Sequence, residues 1–268
     1  MIRSILLFLL LPFISASQNY ASLAGGRSAA MAHSSVALSD GWSGHHNQAG
    51  LAFLEKPILA LSYENRFFLQ DLSLANAGFA LPTKLGTIGL SFTYFGFELY
   101  NESKVGLNYS RKFGDNFSIG LQLNHHSYYV EEGEKRPSFL TVEAGVMAKP
   151  LEKLSIGLHV FNLTNSYKHK NTDQLLGPAV RLGALYSFNE ETALTGEVSK
   201  SVNSEERYAL GVEYFIIDQL VFRTGIALQP YSNTFGLGLD LGPFTSDFSY
   251  QYARSLGSNA AISLQYEF

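Results

Sequence analysis

From Ile58 to the end of the chain, apolar and polar residues alternate. Phe117, Ile119, Leu121 and Leu123 are separated by Ser118, Gly120 and Gln122. Tyr208, Leu210, Val212 and Tyr214 flank Ala209, Gly211 and Glu213, and Phe235, Leu237, Leu239 and Leu241 flank Gly236, Gly238 and Asp240. A sustained period of two marks strands with one apolar face, and no stretch after Ile58 carries a helical period of 3.6. The pattern predicts fourteen strands, at 58–65, 72–81, 85–95, 102–112, 115–129, 138–148, 152–162, 179–189, 191–200, 206–216, 219–228, 232–241, 244–253 and 259–268. Their connections alternate in length. Those at Pro82-Thr83-Lys84, Phe113-Gly114, Lys149-Pro150-Leu151, Asn189-Glu190, Ile217-Asp218 and Gly242-Pro243 are tight, whereas 130–137 and 163–178 are long and polar. An even strand number with short turns at one end and longer loops at the other predicts an all-β fold. The expected architecture is a 14-stranded antiparallel transmembrane β-barrel in the outer membrane of a Gram-negative bacterium, with both termini periplasmic.

Composition separates this reading from a soluble sandwich or propeller. Charged residues make up 16% of the chain, against roughly 25% in soluble domains, too few to coat a water-facing sheet. The face opposite the apolar one carries Gly, Ser, Thr, Ala and Asn in place of charge, and no blade-length repeat is present. The only long apolar run is Ile5 to Ile14, so helical membrane spans are excluded. A net charge of −4 gives no electrostatic footprint for nucleic acid. Cysteine is absent, which removes disulfides, thiolate metal sites and a lipid anchor on an N-terminal Cys.

Arg3, the apolar run and the small residues Ser15, Ala16 and Ser17 have the three parts of a secretory signal, which assigns 1–17 to a signal peptide. That leaves 18–55 ahead of the barrel at 56–268. If the bulky positions face lipid, the inward positions include Gly106, Gly120, Gly145, Gly157, Gly183, Gly211, Gly225, Gly236 and Gly238. Glycine within strands commonly marks close approach by another backbone, so the lumen has room for an occupant, and the small-residue segment 18–55 is the candidate plug. Inward charges by the same parity are Glu64, Lys104, Glu143, Arg181, Glu197, Glu213, Arg223, Asp240, Asp247 and Glu267. Among them Glu143, Arg181, Glu213, Arg223 and Asp240 are the expected lumen-polar set. They fit either ion pairs that stiffen the barrel or a cation-selective path.

The segment ahead of the barrel carries a resemblance. Gly25-Gly26-Arg27-Ser28-Ala29-Ala30-Met31-Ala32, Val36-Ala37-Leu38-Ser39-Asp40 and Asn47-Gln48-Ala49-Gly50-Leu51-Ala52 resemble the N-terminal signature of FadL-like and PorV/PorQ outer-membrane barrels: G-x-R-x-x-x-M-G, A-L-x-D and N-P-A-G-L. Ala32 stands where that pattern has Gly, and Gln48 where it has Pro. The resemblance implies a fourteen-stranded barrel whose N-terminal segment plugs the lumen. It implies lumenal polar contacts by Arg27, Asp40 and Asn47, and close backbone approach at Gly26, Ala49 and Gly50, with Met31 and Leu51 also in the motif. Losing the proline at Gln48 bears on the rigidity of the turn at Asn47. Trp42, the sole Trp, is expected to pack within the plug. The terminal alternation Ile262, Leu264, Tyr266 and Phe268 resembles a C-terminal assembly signal, carried by Tyr266 and Phe268 and read by the barrel-insertion machinery.

The short connections look more like the PorV/PorQ branch than like FadL-type transporters. This implies an accessory or partner barrel in type IX-like protein secretion or envelope assembly, working with outer-membrane lipid and other outer-membrane or secreted proteins. The alternative is a FadL-like channel for hydrophobic or small solutes. Lateral release from such a channel would need a kinked strand, with Gly78 and Gly96 as candidate places. Enzymatic chemistry is not expected: no nucleophile elbow or phosphate loop is present. His125 and His126 are adjacent on one strand and point to opposite faces, so no metal or cofactor is expected unless His46 and His126 meet.

Overall fold

The computed structural model describes residues 23–131, 138–164, 177–202, 204–253 and 257–268. The expected signal peptide and most of the two long connections at 130–137 and 163–178 lie outside these residues.

Fourteen strands form a closed antiparallel barrel in which each strand pairs with its neighbours in sequence and β1 closes onto β14. They are β1 Ile58–Arg66, β2 Ser73–Thr83, β3 Gly86–Gly96, β4 Tyr100–Lys112, β5 Phe117–Val130, β6 Ser138–Leu151 and β7 Leu154–Phe161, then β8 Ala179–Ser187, β9 Thr192–Ser201, β10 Arg207–Ile217, β11 Leu220–Leu228, β12 Ser232–Leu241, β13 Phe244–Ala253 and β14 Gly257–Glu267. Two of the tight turns are tighter than expected. Pro82 and Thr83 pair within β2, and β6 runs through Lys149 and Pro150 to a Leu151–Leu154 pair, with an irregular register after Ala148. A proline is tolerated at such strand margins because the missing N–H falls where the ladder is already interrupted.

Closure satisfies the backbone of every strand without an edge, the condition for strands in hydrocarbon. The alternation sorts side chains by face. In β10, Tyr208, Leu210, Val212 and Tyr214 are exposed on the outer wall while Arg207, Ala209, Gly211 and Glu213 point inward and are buried. In β14, Ile262 and Leu264 lie outside, and Ser263 and Gln265 inside. Of the two candidate places for a kink, Gly78 lies in unbroken wall and Gly96 at the end of a strand. Gly78 is paired on both sides, with Ala60 and with Ser91. Gly96 ends β3 opposite Asn101, with a φ of 106° that turns the chain. The absent side chain of Gly78 serves a different purpose: a Cβ there would lie 3.1 Å from the Gly41 carbonyl oxygen in the lumen.

The interior is filled from the N-terminal side. Two short helices, α1 Gly26–Ala30 and α2 Ser43–His46, and a 3₁₀ segment Gln48–Phe53 lie inside the barrel. Met31, Leu38, Trp42 and Leu51 are almost fully buried there. Such short helices cannot hold themselves; the barrel wall holds them. The 3₁₀ segment and α2 rest on the β2–β6 side, and α1 rests on β11–β14.

Candidate functional site

The site is the contact between the N-terminal segment and the inward face of the wall. Three carboxylates on the wall organise it. Glu213 of β10 accepts two hydrogen bonds from Arg27, each 2.9 Å, and a third of 2.5 Å from Arg223. Arg223 also donates to Asp247 at 2.6 Å, and Arg27 donates to Asp40 at 3.2 Å. Ser263, which donates to Asp247, accepts from the Gly26 amide at 2.9 Å. Glu197 takes the Ser35 and Val36 amides, both at 2.9 Å, and is bridged by Arg181. Arg181 donates onward to the carbonyl oxygens of His46 and His33. Glu143 accepts from Gln48 at 2.8 Å, Asn124 at 2.7 Å and His159 at 3.0 Å, with the Lys104 ammonium 3.6 Å away. Paired, charge-assisted bonds of this kind compensate desolvation that an isolated buried charge could not bear. Lys104, Glu143, Arg181, Glu197, Glu213, Arg223 and Asp247 therefore meet one another or the plug in ion pairs.

Two motif residues work locally. Asn47 donates to the carbonyl oxygens of Val36 and Val146, and its own oxygen accepts from the Ala49 amide, capping the 3₁₀ segment. Asp40 accepts from the Trp42 amide at 2.9 Å. Gln48, at the position where the family pattern has proline, ties the turn to the wall through Glu143 and Gln122. Side-chain bonds thus hold what a pyrrolidine ring would have held. Ala32, in the place of the pattern's glycine, has a φ of 51°, in the left-handed region, and is fully buried against Ala209 and Ala227. Within the plug the positive-φ glycine among the described residues is Gly25 (86°), whose missing side chain admits the Trp42 ring.

Most of the inward glycines are where the plug touches the wall, by its backbone at Gly120, Gly157 and Gly225 and by side chains at Gly145, Gly183, Gly211 and Gly236. A Cβ at Gly225 would lie 2.5 Å from the Met31 carbonyl carbon, and one at Gly157 would overlap the Val36 carbonyl oxygen. Gly106 and Gly238 differ: their neighbours are wall side chains, Ser91, Gln122 and Asn124 in the first case and Arg223 and Asp247 in the second. At Gly26 and Gly50 a Cβ would likewise strike backbone, of Asp247 and Leu38 respectively. Ala49 is fully buried with its amide over Gly120, and Leu51 reaches Gly89.

One expected lumen residue lies elsewhere. Asp240 keeps its inward register but sits at the exposed tight-turn rim, where it accepts from the Gly242 amide, because β12 continues past the depth the plug reaches. It borders a cavity of about 280 Å³ that opens at the rim and leads to Arg27, Asp40, Glu213 and Arg223. The two histidines considered for a shared metal do not meet: His46 bonds to the Ala24 carbonyl and His126 to Thr141. Among the described residues no grouping of three or more metal-ligating side chains occurs.

Sequence reasoning missed two features. Arg207, at the start of β10, is buried and donates to the Ala32 carbonyl. An aromatic cluster lies inside the lumen at the long-loop end: His126 stacks on Phe139 at 4.9 Å, Tyr128 stacks on Phe139 at 5.7 Å, and Phe161 meets His126 edge-on. Its signal was parity. Tyr128, Phe139 and Phe161 occupy the inward phase of β5, β6 and β7, whereas the alternation rule assigns bulky residues to lipid.

In sequence, no protein family and no curated protein matches the chain. In fold, it is similar to a Pseudomonas aeruginosa FadL homologue, at 14% identity, a TM-score of 0.64 and coverage of 91% of this chain and 98% of the other. The Ralstonia pickettii toluene transporter TbuX gives 11% identity and a TM-score of 0.69, over 91% of this chain and 98% of the other. The Pseudomonas putida toluene transporter TodX gives 10% and 0.71, over 90% and 97%. The chain has the fold of FadL-type outer-membrane barrels.

Proposed function

We propose that the chain is a non-enzymatic outer-membrane channel for small hydrophobic solutes, with its N-terminal segment as the plug. The observation that carries this reading is the aromatic cluster of His126, Tyr128, Phe139 and Phe161 at the long-loop end of the lumen. Elsewhere the inward wall is mostly small and polar residues and ion pairs; here it is lined by aromatic rings packed on one another, the lining chemistry of a site for flat apolar guests. The likeness in fold to toluene transporters supports the same reading and makes monoaromatic hydrocarbons the first solutes to try. In this reading the tight turns and both termini face the periplasm and the outer wall faces outer-membrane lipid. The motif residues Gly26, Arg27, Met31, Asp40, Trp42, Asn47, Ala49, Gly50 and Leu51 hold the plug. Tyr266 and Phe268, whose rings meet edge-on at 4.8 Å, present the signal to the barrel-insertion machinery.

Intact Gram-negative cells expressing the barrel take up labelled toluene faster than cells with an empty vector. Replacing Tyr128 and Phe139 together by Ala lowers the gain about tenfold, the loss of roughly one aromatic contact's worth of binding. Uptake equal to the empty vector overturns the reading.

A partner barrel in protein secretion, of the type IX-like PorV/PorQ kind, or in envelope assembly is the second reading. It draws on the tight-turn rim, where the turns from β8 to β13 expose Glu190, Glu191 and Asp218 with no Lys or Arg among them. Recovery of a stoichiometric partner from native membranes through a tag in 163–178, together with no toluene uptake, would favour it.

A further inference from the structure

The tight-turn rim is divided by charge. From β2 to β7 the turns and strand ends expose Lys84, Arg111, Lys112 and Lys153 against Asp115 and Glu152. From β8 to β13 they expose Glu190, Glu191, Asp218 and Asp240, and no Lys or Arg. No salt bridge among the described residues includes Glu190, Glu191 or Asp218.

An open groove of about 850 Å³ lies between two of the acidic turns. Glu190 and Glu191 border it from the β8–β9 turn, and Phe215, Ile216, Ile217 and Asp218 border it from the end of β10. Ile216 and Ile217 are 51% and 58% exposed. They stand out because β10 shifts register between Phe215 and Ile217, and an extra residue bends a strand end away from its ladder. The frame around them is tied down. The Asn189 side chain accepts from the Glu191 and Thr192 amides, and the Phe215 amide donates to the Glu191 carbonyl at 2.8 Å. Lys153 is the one base among the described lining residues, and its ammonium donates to the Phe188 carbonyl at 3.1 Å. A fixed groove with exposed isoleucines and three unpaired carboxylates is organised in advance for a guest.

We infer that this groove docks a segment of a periplasmic protein that carries Lys or Arg side chains beside apolar ones. Charge selects that occupant. Lipid is the other apolar partner at hand, but phospholipid phosphates are anionic and three unpaired carboxylates disfavour them. Position selects it too. Phe215 is in the inward phase of β10, two residues after Glu213, and lines both this groove and the rim cavity that leads to Arg27. The groove therefore reaches the barrel mouth and not only the bilayer side. The basic half of the rim sets direction, since a basic segment is drawn to β8–β11 and repelled from β2–β7. From the proposed function this inference takes only the periplasmic side of the tight turns. It holds whether or not the lumen carries a solute.

The barrel is placed in nanodiscs of zwitterionic lipid and titrated with a short fluorescent peptide in which lysine and leucine alternate. It binds at least about tenfold more tightly than the same peptide with glutamate in place of lysine. Replacing Glu190→Gln, Glu191→Gln and Asp218→Asn together weakens it about tenfold, the loss of three exposed charge pairs. Asp115→Asn with Glu152→Gln leaves it unchanged. Equal binding to the triple variant, or to nanodiscs without the barrel, overturns the inference. Because the chain has no cysteine, an environment-sensitive dye on Ile217→Cys reads the groove alone. The lysine–leucine peptide shields that dye from acrylamide; quenching of the dye by lipids brominated along their acyl chains shows that the bilayer covers the groove, and overturns the inference. In cells, a bulky maleimide reaches the Ile217→Cys thiol only after the outer membrane is opened, and labelling of unopened cells overturns it as well. Toluene uptake is read separately, so a loss of either result leaves the other standing.

Discussion

The guanidinium of Arg27 lies in the fork of the Glu213 carboxylate, held by two hydrogen bonds of 2.9 Å. It joins the first helix of the plug to the tenth strand of the wall, and Arg223 on the next strand holds the carboxylate in place from the other side. Arg27 is 22% exposed, toward the rim cavity.

Arg27→Ala lowers the stability of the plugged state by about 3 kcal/mol, the low end for removing one member of a buried ion pair, because Arg27 keeps some solvent. The measurement is limited proteolysis of the plug in vesicles beside urea unfolding of the barrel. Arg27→Ala combined with Glu213→Gln costs less than the sum of the two single changes, because neither charge is then left alone.

Gly157→Ala displaces the plug without disturbing the strand ladder, since its methyl would overlap the Val36 carbonyl oxygen. Gly196→Ala is the matched control. It lies on the outer face of β9, where the nearest atom to a new Cβ is the end of the Leu210 side chain at 3.4 Å. Protease cleavage within 23–55 rises in the first variant and not in the second.

Trp42 is fully buried in the plug and is the only Trp, so its fluorescence reports on the plug alone. In the folded barrel its emission is blue-shifted and poorly quenched by acrylamide. Arg27→Ala and Gly157→Ala both shift it to the red and raise quenching. A native-like spectrum in both variants would show that the plug stays seated without these contacts.

Ala32→Gly changes stability by less than about 0.5 kcal/mol, although Ala32 is fully buried. Relief of the left-handed backbone, worth about 1 kcal/mol, offsets the loss of a methyl worth about 0.8 kcal/mol. Ala30→Gly, in helix α1 with ordinary backbone and equal burial, has no such relief and costs about 1.5 kcal/mol. Paired urea titrations of the two variants read the difference.

The strands were legible because each writes its two environments directly into its residues: Tyr208, Leu210 and Val212 could face only lipid, and Gly211 and Glu213 only the lumen. The glycines announced an occupant for the same reason. The partners of the plug were not legible. Nothing local to Glu197 says that it will take the amides of Ser35 and Val36, because that choice depends on how far the segment has wound by the time it reaches β9. The aromatic cluster was hidden by a rule too simple for strand ends. Near the long loops the inward phase no longer faces the plug, so Tyr128, Phe139 and Phe161 can be bulky there. Asp240 illustrates the same effect at the opposite rim.

The contacts that seat the plug are among the most distant in the chain: 186 residues separate Arg27 from Glu213, and 237 separate Gly26 from Ser263. The segment made first is therefore fastened by strands made last. Until β11 to β14 exist helix α1 has few of its partners, whereas the 3₁₀ segment already rests on β2–β6, and once β14 has closed against β1 only the ends of the barrel stay open. The lumen is thus filled from both ends of the chain's order: the early strands take up the 3₁₀ segment, and the seating of α1 comes with the strands that close the ring.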